Sequence, residues 1–146
     1  MSASIKNIFT QGPITPAFIA DSIAKHQTKT SIGAHDLFLG QVRADEKEGL
    51  PVTSILYTAN ESLALSICHE IREEAFQKFA ITCLHIHHSL GEIKTGEICF
   101  FVFVSSPHRK ASFEACEWLV NEIKAKCPIW GEEKTAEKSF WKENHG

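Results

Sequence analysis

The chain has 146 residues, 43% of them hydrophobic, an ordinary single-domain size with enough apolar content to bury a core without staples. Lysine and arginine number 15 against 18 acidic residues, a net charge of -3, so no global basic field exists to hold nucleic acid and any anion site must be local. Five cysteines without a CxxC pair or zinc-like spacing read as buried thiols of a reducing compartment, and with no leader pattern and no membrane-length apolar run the expectation is a soluble, cytoplasmic protein.

No repeat or Pro/Gly-rich linker divides the chain, and one domain over 1–146 is expected, its tail from about 131 either contributing to a pocket or flexible. Thr15 as N-cap, Pro16 in the first helical position and the Ile19/Ile23 spacing predict a short first helix. Residues 33–43 (GAHDLFLGQVR) suit a strand ending near Gly40, and 44–51 (ADEKEGLP) an exposed loop. A strand over 52–57 precedes a helix capped by Asn60, with Leu63, Ile67, Ile71 and Ala75 recurring every four residues. The run TCLHIHHSLGEI alternates, setting Leu84, Ile86 and His88 against Cys83, His85 and His87 on the opposite face. Residues 97–105 form a continuous apolar run, the mark of a central strand covered on both faces. A last helix enters at Ser106-Pro107, buries a stripe from Phe113 through Cys116 and Leu119 or Val120 to Ile123, and stops before Pro128, leaving an irregular tail. Paired strands between helices predict an α+β sandwich with antiparallel or mixed pairing.

Three clusters invite chemistry. His85 and His87 share a strand face, but no further metal ligands stand at familiar spacing, so no metal is assigned; a small metal-dependent hydrolase built on them is the weakest reading. No GxSxG, Walker or dinucleotide glycine motif is present. The last helix carries His108, Arg109 and Lys110 at its start, which suits a phosphate or carboxylate as well as it suits a solvated basic turn, and Lys124 and Lys126 at its end. Arg109 and Lys124 are fifteen positions apart, roughly 22 Å at ~1.5 Å per residue. Either one end is structural, or a two-fold dimer shares the site between subunits.

FLGQVR (38–43), HHSLGEIKTGE (87–97), SSPHRKASFEAC (105–116) and IKAKCPIW (123–130) together resemble the catalytic (large) subunit family of molybdopterin synthase, in register over about residues 5–141. The resemblance implies an α/β-hammerhead fold and a homodimer at the centre of a heterotetramer, with a small ubiquitin-like sulfur-carrier subunit at each end. The carrier's C-terminal Gly-Gly thiocarboxylate would deliver two sulfurs to cyclic pyranopterin monophosphate (precursor Z), forming the dithiolene of molybdopterin, with no metal or organic cofactor. By the same resemblance Lys124 is the catalytic lysine, Arg43 and Phe38 line the pocket, and His108 and Arg109 bind the pterin phosphate across the dimer. A second lysine is common after the family's Pro-x-Trp, where this chain has Gly131; Lys134 is assigned in its place, with Lys126 as the other candidate. The missing lysine motivates a reading from another class, a non-catalytic dimeric module that binds anion and carrier without turnover.

Overall fold

The computed structural model describes residues 5–142. Its strands are β1 (Phe9–Gln11), β2 (Ala34–Gln41), β3 (Glu46–Lys47), β4 (Leu50–Pro51), β5 (Ser54–Ala59), β6 (Cys83–Lys94), β7 (Ile98–Ser106), β8 (Ile129–Lys134) and β9 (Ser139–Trp141). The helices are α1 (Pro16–His26), α2 (Glu61–Lys78) and α3 (Arg109–Lys126). The main sheet runs β2-β7-β6-β5-β8-β9, antiparallel at every one of these pairings, and β1 lies parallel to β6.

β6 is long enough to serve two partners. Its first half, Cys83 to His88, pairs with β7, and Gly91 to Lys94 pair with β5. Gly91, at φ 92°, sits where the strand passes from one partner to the other, a conformation that favours glycine. β7 is buried along almost its whole length, as its apolar run predicts. Phe100, Val102 and Val104 enter the large core beneath α2 and α3, while Phe101 and Phe103 pack with Ile14 and Ile19 on the α1 side.

The caps of the first two helices follow the sequence. Thr15 Oγ1 accepts the Phe18 amide at 3.1 Å, and Asn60 Oδ1 accepts that of Leu63 at 3.3 Å. At α3 the expectation fails: β7 stays paired with β2 out to Ser106, and the Ser106 hydroxyl donates to the His108 carbonyl at 2.6 Å, so the helix starts at Arg109 without a side-chain cap.

The buried stripes are also shifted from the periodic reading. In α2 the buried residues are Ala64, Cys68, Ile71 and Ala75, and Leu63 is exposed. In α3 Ser112, Ala115, Cys116, Leu119 and Ile123 face inward, while Phe113 is 57% exposed. Both contact faces are rich in small residues, which lets the helices approach their neighbours closely and turns the larger side chains out. The 44–51 segment folds back as the β3–β4 ribbon instead of an open loop, and the expected irregular tail forms β8 and β9 as far as residue 142, its last four residues lying outside the described residues. All five cysteines are free and buried. Among the described residues no helix is long and apolar enough to cross a membrane.

Candidate active site

A cleft of about 330 Å³ opens where the end of β2, the bend of β6, the start of β7, the last turn of α3 and strand β8 meet. A bulge shapes one wall: Gly40 pairs with Phe100 and Gln41 with Ile98, so Cys99 is skipped in the register. A Cβ on Gly40 would lie 3.1 Å from Phe100 Cβ, so the glycine permits this close approach of β2 to β7. Cys99 Sγ donates to the Gly40 carbonyl at 3.5 Å and receives the Tyr57 hydroxyl at 3.4 Å. Burial raises both the tyrosine and the thiol above their ordinary ranges, which makes them neutral walls.

Lys124 projects into the cleft from α3. Burial lowers its pKa below the usual lysine range, and the charges of Lys142 and Arg43 push in the same direction, with Cys99 opposing. His88 lines the same space; its Nδ1–H donates to the Ser89 carbonyl at 2.8 Å, and burial, with some help from Lys124, pushes it down to about 4. Arg43 stands at the rim, 3.3 Å from Asp45. Glu133, 5% exposed, is a cleft carboxylate paired at 3.7 Å with Lys47 of the β3–β4 ribbon. The result is a small pocket of mixed charge, in which Lys124, Arg43 and Lys142 face the neutral side chains of Tyr57 and Cys99 while the carboxylates of Asp45 and Glu133 are paired with Arg43 and Lys47.

A family model described as "MoaE protein" matches residues 10–126. The chain belongs to the MoaE family. It is 40% identical over 114 residues to the Molybdopterin synthase catalytic subunit of Pyrococcus abyssi, covering 78% of this chain and 76% of that one. It is 34% identical over 124 residues to the protein of the same name from Homo sapiens, covering 85% of this chain and 65% of the human one. The crystal structure of Molybdopterin Synthase from Staphylococcus aureus superposes with a TM-score of 0.83 at 28% identity, covering 96% of this chain and 99% of that one. The α/β-hammerhead architecture expected from the motifs is therefore the architecture of this MoaE chain.

Of the residues singled out in the sequence, the structure brings Lys124 and Arg43 together. Phe38 lies beside the cleft without lining it: its ring packs edge-on against that of Phe100, a lining residue, at 5.6 Å. Phe38 also borders a second, shallower groove with Leu37, Phe113 and Val120. His108 and Arg109 are exposed at the opposite end of α3, outside the cleft. Lys134 does not line it either. Along β8, Gly131 and Glu133 point inward opposite Tyr57 and Ile55, so strand alternation turns Lys134 to the other face.

Sequence reasoning missed Tyr57, Cys99, His88 and Lys142. His88 was accessible from the alternation of β6; the others depend on strand register and on a hairpin with no apolar signature. His85 and His87 have structural uses. His85 Nε2 lies 2.8 Å from His26 Nε2, and His87 stacks on Phe101 at 5.6 Å. Among the described residues no three His, Cys, Asp or Glu side chains are grouped as a metal site.

Proposed function

We propose that this MoaE chain is the sulfur-transferring catalytic subunit of molybdopterin synthase, acting in the cytoplasm on cyclic pyranopterin monophosphate with a thiocarboxylated small carrier as sulfur donor. The observation that carries this reading is Lys124, half-buried in a cleft where Arg43 and Lys142 add positive charge and the carboxylates of Asp45 and Glu133 are engaged by Arg43 and Lys47. In such a cleft an ammonium group serves twice: it holds a thiocarboxylate or phosphate oxygen in place, and with its pKa lowered it gives up a proton more readily than a surface lysine. Arg43 adds a fixed charge at the rim. The neutral walls of Tyr57 and Cys99 keep the site from being solvated like open surface.

His108 and Arg109 enter this scheme from a second copy of the chain. Arg109 and Lys124 stand on one uninterrupted helix, and the roughly 22 Å between them exceeds the reach of one small substrate. A two-fold pairing places the start of α3 of one protomer at the cleft of its partner, with the carrier's tail entering the open side. The apolar groove bordered by Phe38 and Phe113 is suited to that pairing.

The test is a single-turnover assay of this protein with thiocarboxylated carrier and cyclic pyranopterin monophosphate, with Lys124→Ala as the paired control. Molybdopterin from the native chain and a loss of about a hundredfold or more in the variant is the expected result, the scale seen when a transition-state charge contact is removed. Carrier binding without product from the native chain would instead identify a non-catalytic binding module.

A further inference from the structure

The hairpin β8–β9 closes one side of the cleft and lies beyond residues 10–126, the part of the chain matched by the family model. Two of its residues face each other across the ladder. The Lys142 amide donates to the Gly131 carbonyl at 2.8 Å, one step past the Glu132/Trp141 pair, so both sit on the cleft face with Glu133. A Cβ built on Gly131 would lie 3.5 Å from Lys142 Cδ, 3.2 Å from Tyr57 Cε1 and 2.9 Å from Ile55 Cγ2. The volume a side chain at 131 would take is thus bounded by the cleft walls and by the stem of Lys142 itself.

We propose that Lys142 is a second oxyanion-binding ammonium group of the transfer site, admitted to the cleft because Gly131 carries no side chain. This deepens the sulfur-transfer reading and rests on it. Three observations converge. Lys142 lines the same cleft as Lys124 and Arg43. Its charge acts on Lys124 as the largest influence after burial, which places the two ammonium groups within electrostatic reach across the cavity. The other lysines near this end of the molecule are directed elsewhere: Lys134 lies on the far face of β8, Lys126 is paired with Glu122 at 2.6 Å, and Lys138 with Glu48 at 2.8 Å.

Two like charges facing one cavity repel in its empty state, and an anion between them relieves that repulsion. The ligand chemistry is an oxyanion of the reactants, either the phosphate of the pterin or the terminal carboxylate or thiocarboxylate of the carrier tail. Lys142 reaches it from an exposed strand end, so the group is open to an incoming tail before the cleft is filled.

Full-length wild type, Lys142→Met, Lys142→Arg and, as a control on the same hairpin, Lys138→Met are compared in two assays. In single turnover Lys142→Met loses about tenfold or more while Lys142→Arg recovers most of the rate and Lys138→Met matches wild type, the pattern of a charge contact and not of a packing role. Calorimetric titration with inorganic pyrophosphate and with N-acetylglycylglycine reads binding without chemistry, so it answers even if the native chain makes no product. Weakening by about fivefold or more in Lys142→Met alone supports the proposal, and the probe affected assigns the phosphate or the tail as the ligand. If Lys142→Met keeps wild-type affinity for both probes, or if turnover in an active native chain is unchanged by it, the proposal falls while the assignment of Lys124 stands.

Discussion

His26 and His85 show how a single proton can organise buried polar groups. His26 Nδ1 lies 2.6 Å from the Ser22 carbonyl, which can only accept, so Nδ1 carries the hydrogen and Nε2 of the neutral ring is an acceptor. The Nε2 of His85, 2.8 Å away, must then donate. A proton added to His26 would set two N–H groups against each other; burial first, and His26 second, push His85 down to about 4. His88 on the opposite face of β6 is also held near 4, chiefly by burial. Because the folded-state values lie below the 6.5 of a free imidazole, the unfolded chain takes up protons between pH 6.5 and 4 that the folded chain refuses. Stability is therefore complete above that window and is lost as pH falls through it. For His88, 7% exposed, the loss is on the order of 3 kcal/mol, at about 1.4 kcal/mol for each tenfold weakening of proton affinity. Urea midpoints at pH 7.5 and pH 4.5 check this, and equal midpoints would contradict it. At this scale the sequence was informative about faces and silent about partners. Alternation separated His88 from His85 and His87, but the pairing of His85 with His26 spans 59 positions and has no local signature.

Elements with an apolar period were legible, and those positioned by register were not. β7 announces itself by a nine-residue run, and α1 by its cap and proline. β8 and β9 come from IWGEEK and SFW, one mostly polar and the other only three residues long. What makes β8 a strand is tertiary: six consecutive pairings with β5, from Ser54 opposite Lys134 to Ala59 opposite Ile129. That register also explains why Lys134 was a poor substitute for a lysine at 131, since three positions along a strand invert the face. Gly131 is the tightest point of the element. Ile55 is buried and its Cγ2 would stand 2.9 Å from a new Cβ, so Gly131→Ala forces β8 away from β5 or forces Ile55 off its rotamer. We expect it to cost about 1 to 3 kcal/mol, the range for overpacking a filled site. Thermal unfolding of the variant measures it; an unchanged melting temperature would mean that the hairpin yields freely and that Gly131 is not what holds the space for Lys142.

Across the whole molecule, the 18-residue α3 holds its two ends apart by running uninterrupted from Arg109 to Lys126. Its first turn offers His108 and Arg109 to solvent, and its last turn gives Lys124 to the cleft. The stop of the helix before Pro128 was visible in the sequence, as was the distance from Arg109 to Lys124, because helical rise is fixed by backbone geometry alone, whereas the start expected at Ser106-Pro107 lies at Arg109. The wall completing the cleft was not visible, since it is assembled from β2, β5, β7 and β8, which are up to about ninety positions apart in the chain. If each cleft takes Lys124 from one protomer and Arg109 from the other, the two functions are separable between subunits. Arg109→Ala and Lys124→Ala homodimers would each be inactive, for every cleft would lack one group. A hybrid dimer of the two would hold one doubly defective cleft and one intact cleft. Random reassortment of equal amounts makes half the dimers hybrids with one working site of two, so about a quarter of wild-type activity should return on mixing, after unfolding and refolding the two variants together. Recovery near that level identifies a shared site. No recovery, with hybrid dimers confirmed by differential tagging, would confine each site to one chain and leave His108 and Arg109 as a solvated helix entrance.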